Sequence, residues 1–117
     1  MSRSMQKWVV SQPGVPHLRM EEGPLPVPVA NEILVRVSAV SLNYRDLGVI
    51  AGEDGAPMPF PLTPGSDMAG VVVATGEQVT RFREGDDVIG TFWAGWIDGN
   101  WPEHARVIGG GLPGVLA

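Results

Sequence analysis

The sequence predicts a mainly β domain: a distorted barrel of short strands with one or two short helices. Glycine (16) and proline (11) are both abundant in the 117 residues and fall as single breaks rather than in repeats, which favours many turns and short strands. An apolar fraction of 44% supports a core, and a charged fraction of only 18% argues against disorder. The clearest periodic stretch, from Asn31 to Leu42, alternates with period two, as a strand does.

The elements follow in order. Lys7 to Val10 reads as a first strand, and Gln12-Pro13-Gly14 as a turn. His17 to Met20 alternates weakly and is expected to pair with the first strand. From Glu21 to Pro28, prolines stand at 24, 26 and 28; each removes a ladder donor, so this stretch reads as a loop. In the long strand, Ile33, Val35, Val37 and Ala39 fall on one face and Leu34, Arg36, Ser38 and Val40 on the other. A fully apolar face opposite a mixed one suits a barrel wall. Asn43 to Ala51 reads as two helical turns, with Asn43 as N-cap and Gly52 as stop. A second proline-rich loop, Gly55 to Pro64, leads into a strand from Met68 to Thr75. Gly76 to Gly85 is a polar turn region, Asp87 to Phe92 another strand, and Arg106 to Ile108 a last one.

Charge and composition exclude several functions. The formal net charge is −5 with no basic run, so nucleic-acid binding lacks electrostatic support. The absence of cysteine removes disulfides, thiolate nucleophiles and cysteine-based zinc sites together. No apolar run reaches the length of a membrane span. Met1 to Lys7 lacks an apolar signal core, and a cytoplasmic location without membrane partners is expected. No serine, histidine and acid set carries a nucleophile elbow.

Polar residues gather at the junction of strand and helix: Asn43, Tyr44, Arg45 and Asp46. Asn43 suits a helix N-cap and equally a hydrogen-bond donor that does not ionise. Arg45 and Asp46 read as a local charge pair, and Ser66-Asp67 as turn residues after Pro64-Gly65.

Three segments give these residues a context: Glu32 to Gly48, Phe60 to Val72 and Gly85-Asp86-Asp87-Val88-Ile89-Gly90. In this order and spacing the chain resembles the N-terminal catalytic domain of the medium-chain dehydrogenase/reductase superfamily, the GroES-like barrel of alcohol dehydrogenases and quinone oxidoreductases. In zinc-dependent members of that superfamily a cysteine stands where Asn43 stands, and a His-Glu pair where Ser66-Asp67 stands. Asparagine and serine are poor zinc ligands. The resemblance therefore implies the zinc-independent, quinone oxidoreductase-like branch, with no metal site. It implies hydride transfer from NADPH to a small carbonyl, enone or quinone substrate. It assigns catalytic work to Asn43, Tyr44 and Asp46, and cofactor contacts to Asn43, Tyr44 and Arg45. Asp46 is expected to orient Arg45 or Asn43. Some quinone reductases place a tyrosine where Gly48 stands, and that tyrosine's role does not transfer.

Gly109-Gly110-Gly111-Leu112-Pro113-Gly114 matches G-x-G-x-x-G in form only. Pro113 interrupts it, and neither a following helix nor an acidic residue about twenty positions on is present. The Rossmann domain is therefore absent from residues 1–117, which are expected to be a GroES-like catalytic domain truncated at its C-terminal end and inactive alone. Apolar surface left open is expected to make the chain a homo-oligomer, with exchanged strands as one route. The alternative is a stand-alone GroES-like β-barrel that binds or assembles without catalysis.

Overall fold

The computed structural model of the chain describes residues 4–53, 60–94, 98–100 and 106–107. The first element is a hairpin, in which β1 (Ser4–Val10) pairs antiparallel with β2 (Leu18–Pro24). A single 3-10 turn, Val15–His17, closes it. The expected loop from Glu21 onward is corrected here, because the ladder continues until Ser4 faces Pro24. Proline is tolerated at that position because it is the last residue of a strand in a two-stranded sheet.

The second sheet has the order β3-β4-β5, formed by Ile33–Ser41, Asp67–Thr75 and Asp87–Ile89, all antiparallel. The simple two-faced alternation of β3 does not hold. Its register against β4 shifts between Leu34 and Val35 and again between Val37 and Ala39. Each shift moves later side chains across the sheet. Ile33 and Leu34 are consequently both buried, whereas every residue from Arg36 to Leu42 is exposed. Gly70 of β4 packs so closely on β3 that an added Cβ would overlap the Arg36 carbonyl oxygen. The expected strand through Phe92 is also shorter: β5 stops at Ile89, Gly90 adds one more bond by donating to Met68 O at 3.0 Å, and Phe92 turns into the left-handed region at φ 72°. Backbone of Trp93–Ala94 (β6) pairs with Arg106–Val107 (β7), one residue short of the expected last strand. Trp96, Trp101, His104 and the 109–114 glycine run lie outside the described residues.

One helix, α1 (Tyr44–Ala51), follows β3 where the sequence places it. Asn43 is its N-cap, and Gly52 ends it at φ 76°, a left-handed conformation that glycine adopts without steric cost. The helix is held from behind. Val49 packs with Val10 of β1 and with Leu62 in a fully buried cluster, flanked by Leu18, Ile50 and Phe60. Val10 and Leu62 exchange two backbone hydrogen bonds, at 2.8 and 3.1 Å, and Gly14 N–H donates to Ile50 O at 2.7 Å. The core thus ties the back and C-terminal end of α1 to the hairpin and leaves its N-terminal turn at the end of the β3–β4–β5 sheet. Among the described residues no helix is long and apolar enough to cross a membrane.

Candidate functional site

Antiparallel pairing builds the site. Ser41, the last residue of β3, faces Asp67, the first of β4. Asn43, two residues past Ser41, therefore arrives beside Ser66-Asp67 although more than twenty residues separate them in sequence. Its side-chain Nδ2 donates to Asp67 Oδ2 at 2.7 Å, with Ser66 Oγ at 3.5 Å. The first bond is short and charge-assisted, while the second lies at the limit of a hydrogen bond. Asp46 grips the same residue from the helix side: its Oδ2 accepts the Asn43 backbone N–H at 2.8 Å, the reciprocal arm of a capping box. Of the two orientations expected for Asp46, this is the Asn43 one. Asp46 is buried at 7% exposure, and its Oδ1 has no hydrogen-bond partner. Ser66 is buried as well.

These bonds set the Asn43 amide. A carboxylate accepts and never donates when ionised, so the nitrogen is the end turned to Asp67 and the amide oxygen points away from it. Asn43 is both an N-cap and a fixed polar group, and the two readings of it are compatible.

The remaining expected residues flank this centre. Tyr44 is 93% exposed. Arg45 is half-buried, and its guanidinium carbon stands 5.4 Å from the centre of the Phe92 ring. Leu42 (85% exposed) and Leu47 add apolar surface on either side. From the residues alone Ser66 and Asp67 read as turn residues, while the resemblance sets them with Asn43 at positions that carry zinc ligands; Phe92 reads only as the end of a strand. The β3–β4 register supplies the hydrogen bonds that join the first two to Asn43. Nothing local in the sequence marks Phe92. Farther along the sheet, Ser38, Ala69, Gly70, Val71, Asp87, Val88 and Ile89 line a shallow groove of about 360 Å³, mostly apolar, which includes none of the polar centre.

A family profile described as the alcohol dehydrogenase GroES-like domain matches residues 29–117. The chain belongs to that family. As an alcohol dehydrogenase GroES-like domain it is the N-terminal domain of the medium-chain dehydrogenase/reductase superfamily, as the resemblance implied, and its mainly β fold is the family's. A zinc-type alcohol dehydrogenase-like protein of Schizosaccharomyces pombe is 39% identical over 93 residues, which make up 79% of this chain and 27% of that protein. A solved structure from Sinorhizobium meliloti 1021, assigned as an alcohol dehydrogenase, superposes with a TM-score of 0.84 at 47% identity, covering 99% of this chain and 36% of that one. The Escherichia coli quinone oxidoreductase complexed with NADPH superposes with a TM-score of 0.67 at 28% identity, covering 73% and 26%. The chain spans about a quarter of the length of the curated relatives it matches. In this GroES-like domain Asn43 donates to Asp67 and lies at the limit of a hydrogen bond to Ser66, the three positions that the resemblance matched to zinc ligands.

Proposed function

We propose that this chain forms one wall of the active site of a zinc-independent, NADPH-dependent oxidoreductase that reduces small carbonyl, enone or quinone acceptors. The observation that carries the reading is the Asn43 side-chain amide held by Asp67 at 2.7 Å, on a residue whose backbone N–H donates to Asp46 at 2.8 Å, beside the exposed Tyr44. Similarity to a quinone oxidoreductase complexed with NADPH supports the choice of cofactor.

The residues present suit the nicotinamide end of such a cofactor. They offer a preset amide, an exposed aromatic face and a half-buried cation. Asn43, Tyr44 and Arg45 would hold it there. When bound, the cofactor supplies a hydride, one proton with two electrons, and leaves oxidised. The chain's own residues position the acceptor and the charge that forms on it. Asn43, already oriented, would present its amide oxygen to accept a hydrogen bond from the carboxamide NH2 of the nicotinamide without reorganisation. Asp46 and Asp67 keep it so. As the acceptor carbon gains the hydride, its oxygen gains the electron pair. A proton from the Tyr44 hydroxyl or from water then completes the reduction.

The donor set does not fit zinc. The Asn43 nitrogen spends its hydrogens on Asp67 and Ser66, so the amide turns N–H groups, rather than a lone pair, toward the place a metal would share with them. Among the described residues no group of three histidine, cysteine or acidic side chains is suitably placed. We further propose that residues 1–117 by themselves bind the dinucleotide too weakly to turn over. We also propose that the exposed Leu42, Val40 and Ile89 surface supports self-association, which light scattering would refute by showing a monomer.

The test is to follow NADPH absorbance in the full-length protein with quinones and enones. Turnover that falls at least tenfold in Asn43→Ala is the expected result. Cofactor binding without turnover on any acceptor would sink the reductase reading, and an unaffected Asn43→Ala would remove Asn43 from the site.

A further inference from the structure

Tyr44, 93% exposed, stands between two residues that are tied down. On one side, the Asn43 amide donates to Asp67 of β4 at 2.7 Å and the Asn43 backbone N–H to Asp46 at 2.8 Å. On the other, the Arg45 guanidinium carbon stands over the Phe92 ring, 5.4 Å from its centre, inside the range of a cation–π contact. A side chain so exposed has few contacts of its own to steady it. Its place is set by the backbone that carries it, and that backbone is as steady as its two neighbours.

The sheet brings Phe92 to this turn. The C-terminal end of β3, the N-terminal end of β4 and the C-terminal end of β5 lie together. Gly90 N–H donates to Met68 O at 3.0 Å, next to Asp67, and Phe92 follows two residues later. It takes a left-handed backbone, φ 72°. For a bulky aromatic this is a real outlier, kept only where the surroundings over-determine it, and such outliers gather at functional sites. Glycine would hold the same turn at no steric cost, so the turn alone does not call for a ring. The first turn of α1 is thus tied to β4 through Asn43 and to the strand end past β5 through Arg45.

We propose that Phe92 is a positioning residue: through its contact with Arg45 it steadies the first turn of α1, and so sets the Asn43 amide and the Tyr44 side chain for the reaction. The proposal rests on the reductase reading above and adds to it a residue that acts without touching the acceptor. It asks of Arg45 only that its cation stay over the ring, whatever else the guanidinium binds.

The experiment uses the full-length protein with NADPH and one enone. It measures kcat, the KM for NADPH and the hydrogen exchange of residues 43–47. Phe92→Leu keeps an apolar side chain without the ring. It should lower kcat and speed that exchange by about two- to fivefold each, the equilibrium value of a partly exposed cation–π contact. The KM for NADPH should stay within about twofold of wild type, and Phe92→Tyr should restore kcat and exchange. Phe92→Gly relieves the backbone and still lacks the ring, so its kcat should fall at least as far as that of Phe92→Leu. Arg45→Met removes the cation from an unbranched side chain. In that background Phe92→Leu should change kcat by less than about 1.5-fold, because the ring acts through Arg45. Phe82→Leu is the control, since Phe82 stacks on Arg81 at 5.6 Å in the turn before β5, outside the site; its kcat and exchange should match the wild type. The proposal is overturned if Phe92→Leu leaves either kcat or exchange at the wild-type value, or if Phe92→Gly recovers the wild-type kcat. It is also overturned if Phe92→Leu costs the same factor with and without the Arg45 cation, since the ring would then act on its own. Each of these leaves the reductase reading standing. A wild type that turns over no acceptor overturns that reading, and this proposal with it, whatever the exchange shows.

Discussion

The bond between Asn43 and Asp67 should be measurable as a coupling energy. A double-mutant cycle of Asn43→Ala and Asp67→Ala isolates it, because neither change disturbs the Asp46 bond to the Asn43 backbone N–H. The contact is 2.7 Å long with a carboxylate acceptor, and a hydrogen bond to a charged group contributes about 1.5–3 kcal/mol. Both residues are only partly buried, so water replaces the lost partner and holds each single change near the low end, about 1.5 kcal/mol. Ser66 Oγ at 3.5 Å adds little. The double change should then cost about 2 kcal/mol rather than 3, which leaves a coupling of about 1 kcal/mol. At roughly 4 °C of Tm per kcal/mol for a chain of this size, each single variant should melt about 6 °C lower and the pair about 8 °C lower. Urea unfolding followed by tryptophan fluorescence reads the free energies directly. Fully additive losses, with coupling below about 0.3 kcal/mol, would show that Asp67 does not hold the Asn43 amide in solution, and the preset-amide argument would fail with it.

Other changes test the parts that place the site. Gly70→Ala puts a methyl group into the Arg36 carbonyl and within 2.7 Å of Val35 Cγ1, so β3 and β4 must separate; a loss of about 3 kcal/mol in urea unfolding is expected. Leu62→Ala opens the cluster behind α1, where Leu62 is 2% exposed, and should cost about 3 kcal/mol by the same assay. Asp46→Ala removes the carboxylate from the Asn43 N–H and should cost about 1 kcal/mol, the usual loss for a cap, while lowering kcat in the full-length protein. Gly52→Ala forces a side chain to φ 76° with Pro13 carbons 3.1 Å away; about 1–2 kcal/mol of destabilisation should appear as a lower Tm.

How much of this was legible before the structure depended on the range of the forces involved. The helix from Asn43 to Gly52 was readable because its start and stop are local chemistry: an asparagine that caps, and a glycine that takes the left-handed turn. The strands were readable as strands, but their faces were not. Two register shifts in β3 depend on how β4 lies against it, above all on Gly70 meeting Arg36, and no periodicity within β3 encodes that contact. The prolines misled at β2 for a related reason, since Pro24 is harmful only if a neighbour needs its N–H, and the sheet ends there. At the site, Asn43 and Asp46 stand three apart on one helical turn, and their partnership was among those expected. Asp67 and Phe92 come to the site through pairing across the sheet; from the residues alone Asp67 reads as a turn residue and only the resemblance groups it with Asn43, while Phe92 reads as a strand end.

The same division explains how the fold serves the site. The α1 helix is anchored at its far end, where Val49 is 1% exposed against Val10 and Leu62 and where Ile50 O accepts the Gly14 N–H. At its near end Asp67 holds the Asn43 amide and Asp46 caps the Asn43 backbone N–H. Directly in front of those ties the chain exposes Leu42 and Tyr44 at 85% and 93%. Under the function proposed above, a flat, weakly polar molecule would cover this surface. Binding there would bury the aromatic and the leucine and would strengthen every charge interaction of Asn43, Arg45 and Asp67 by excluding solvent from them. Rigidity behind and exposure in front are thus combined in one arrangement: the core holds the far end of the helix, while at its near end Asp46 is buried and Leu42 and Tyr44 stay uncovered.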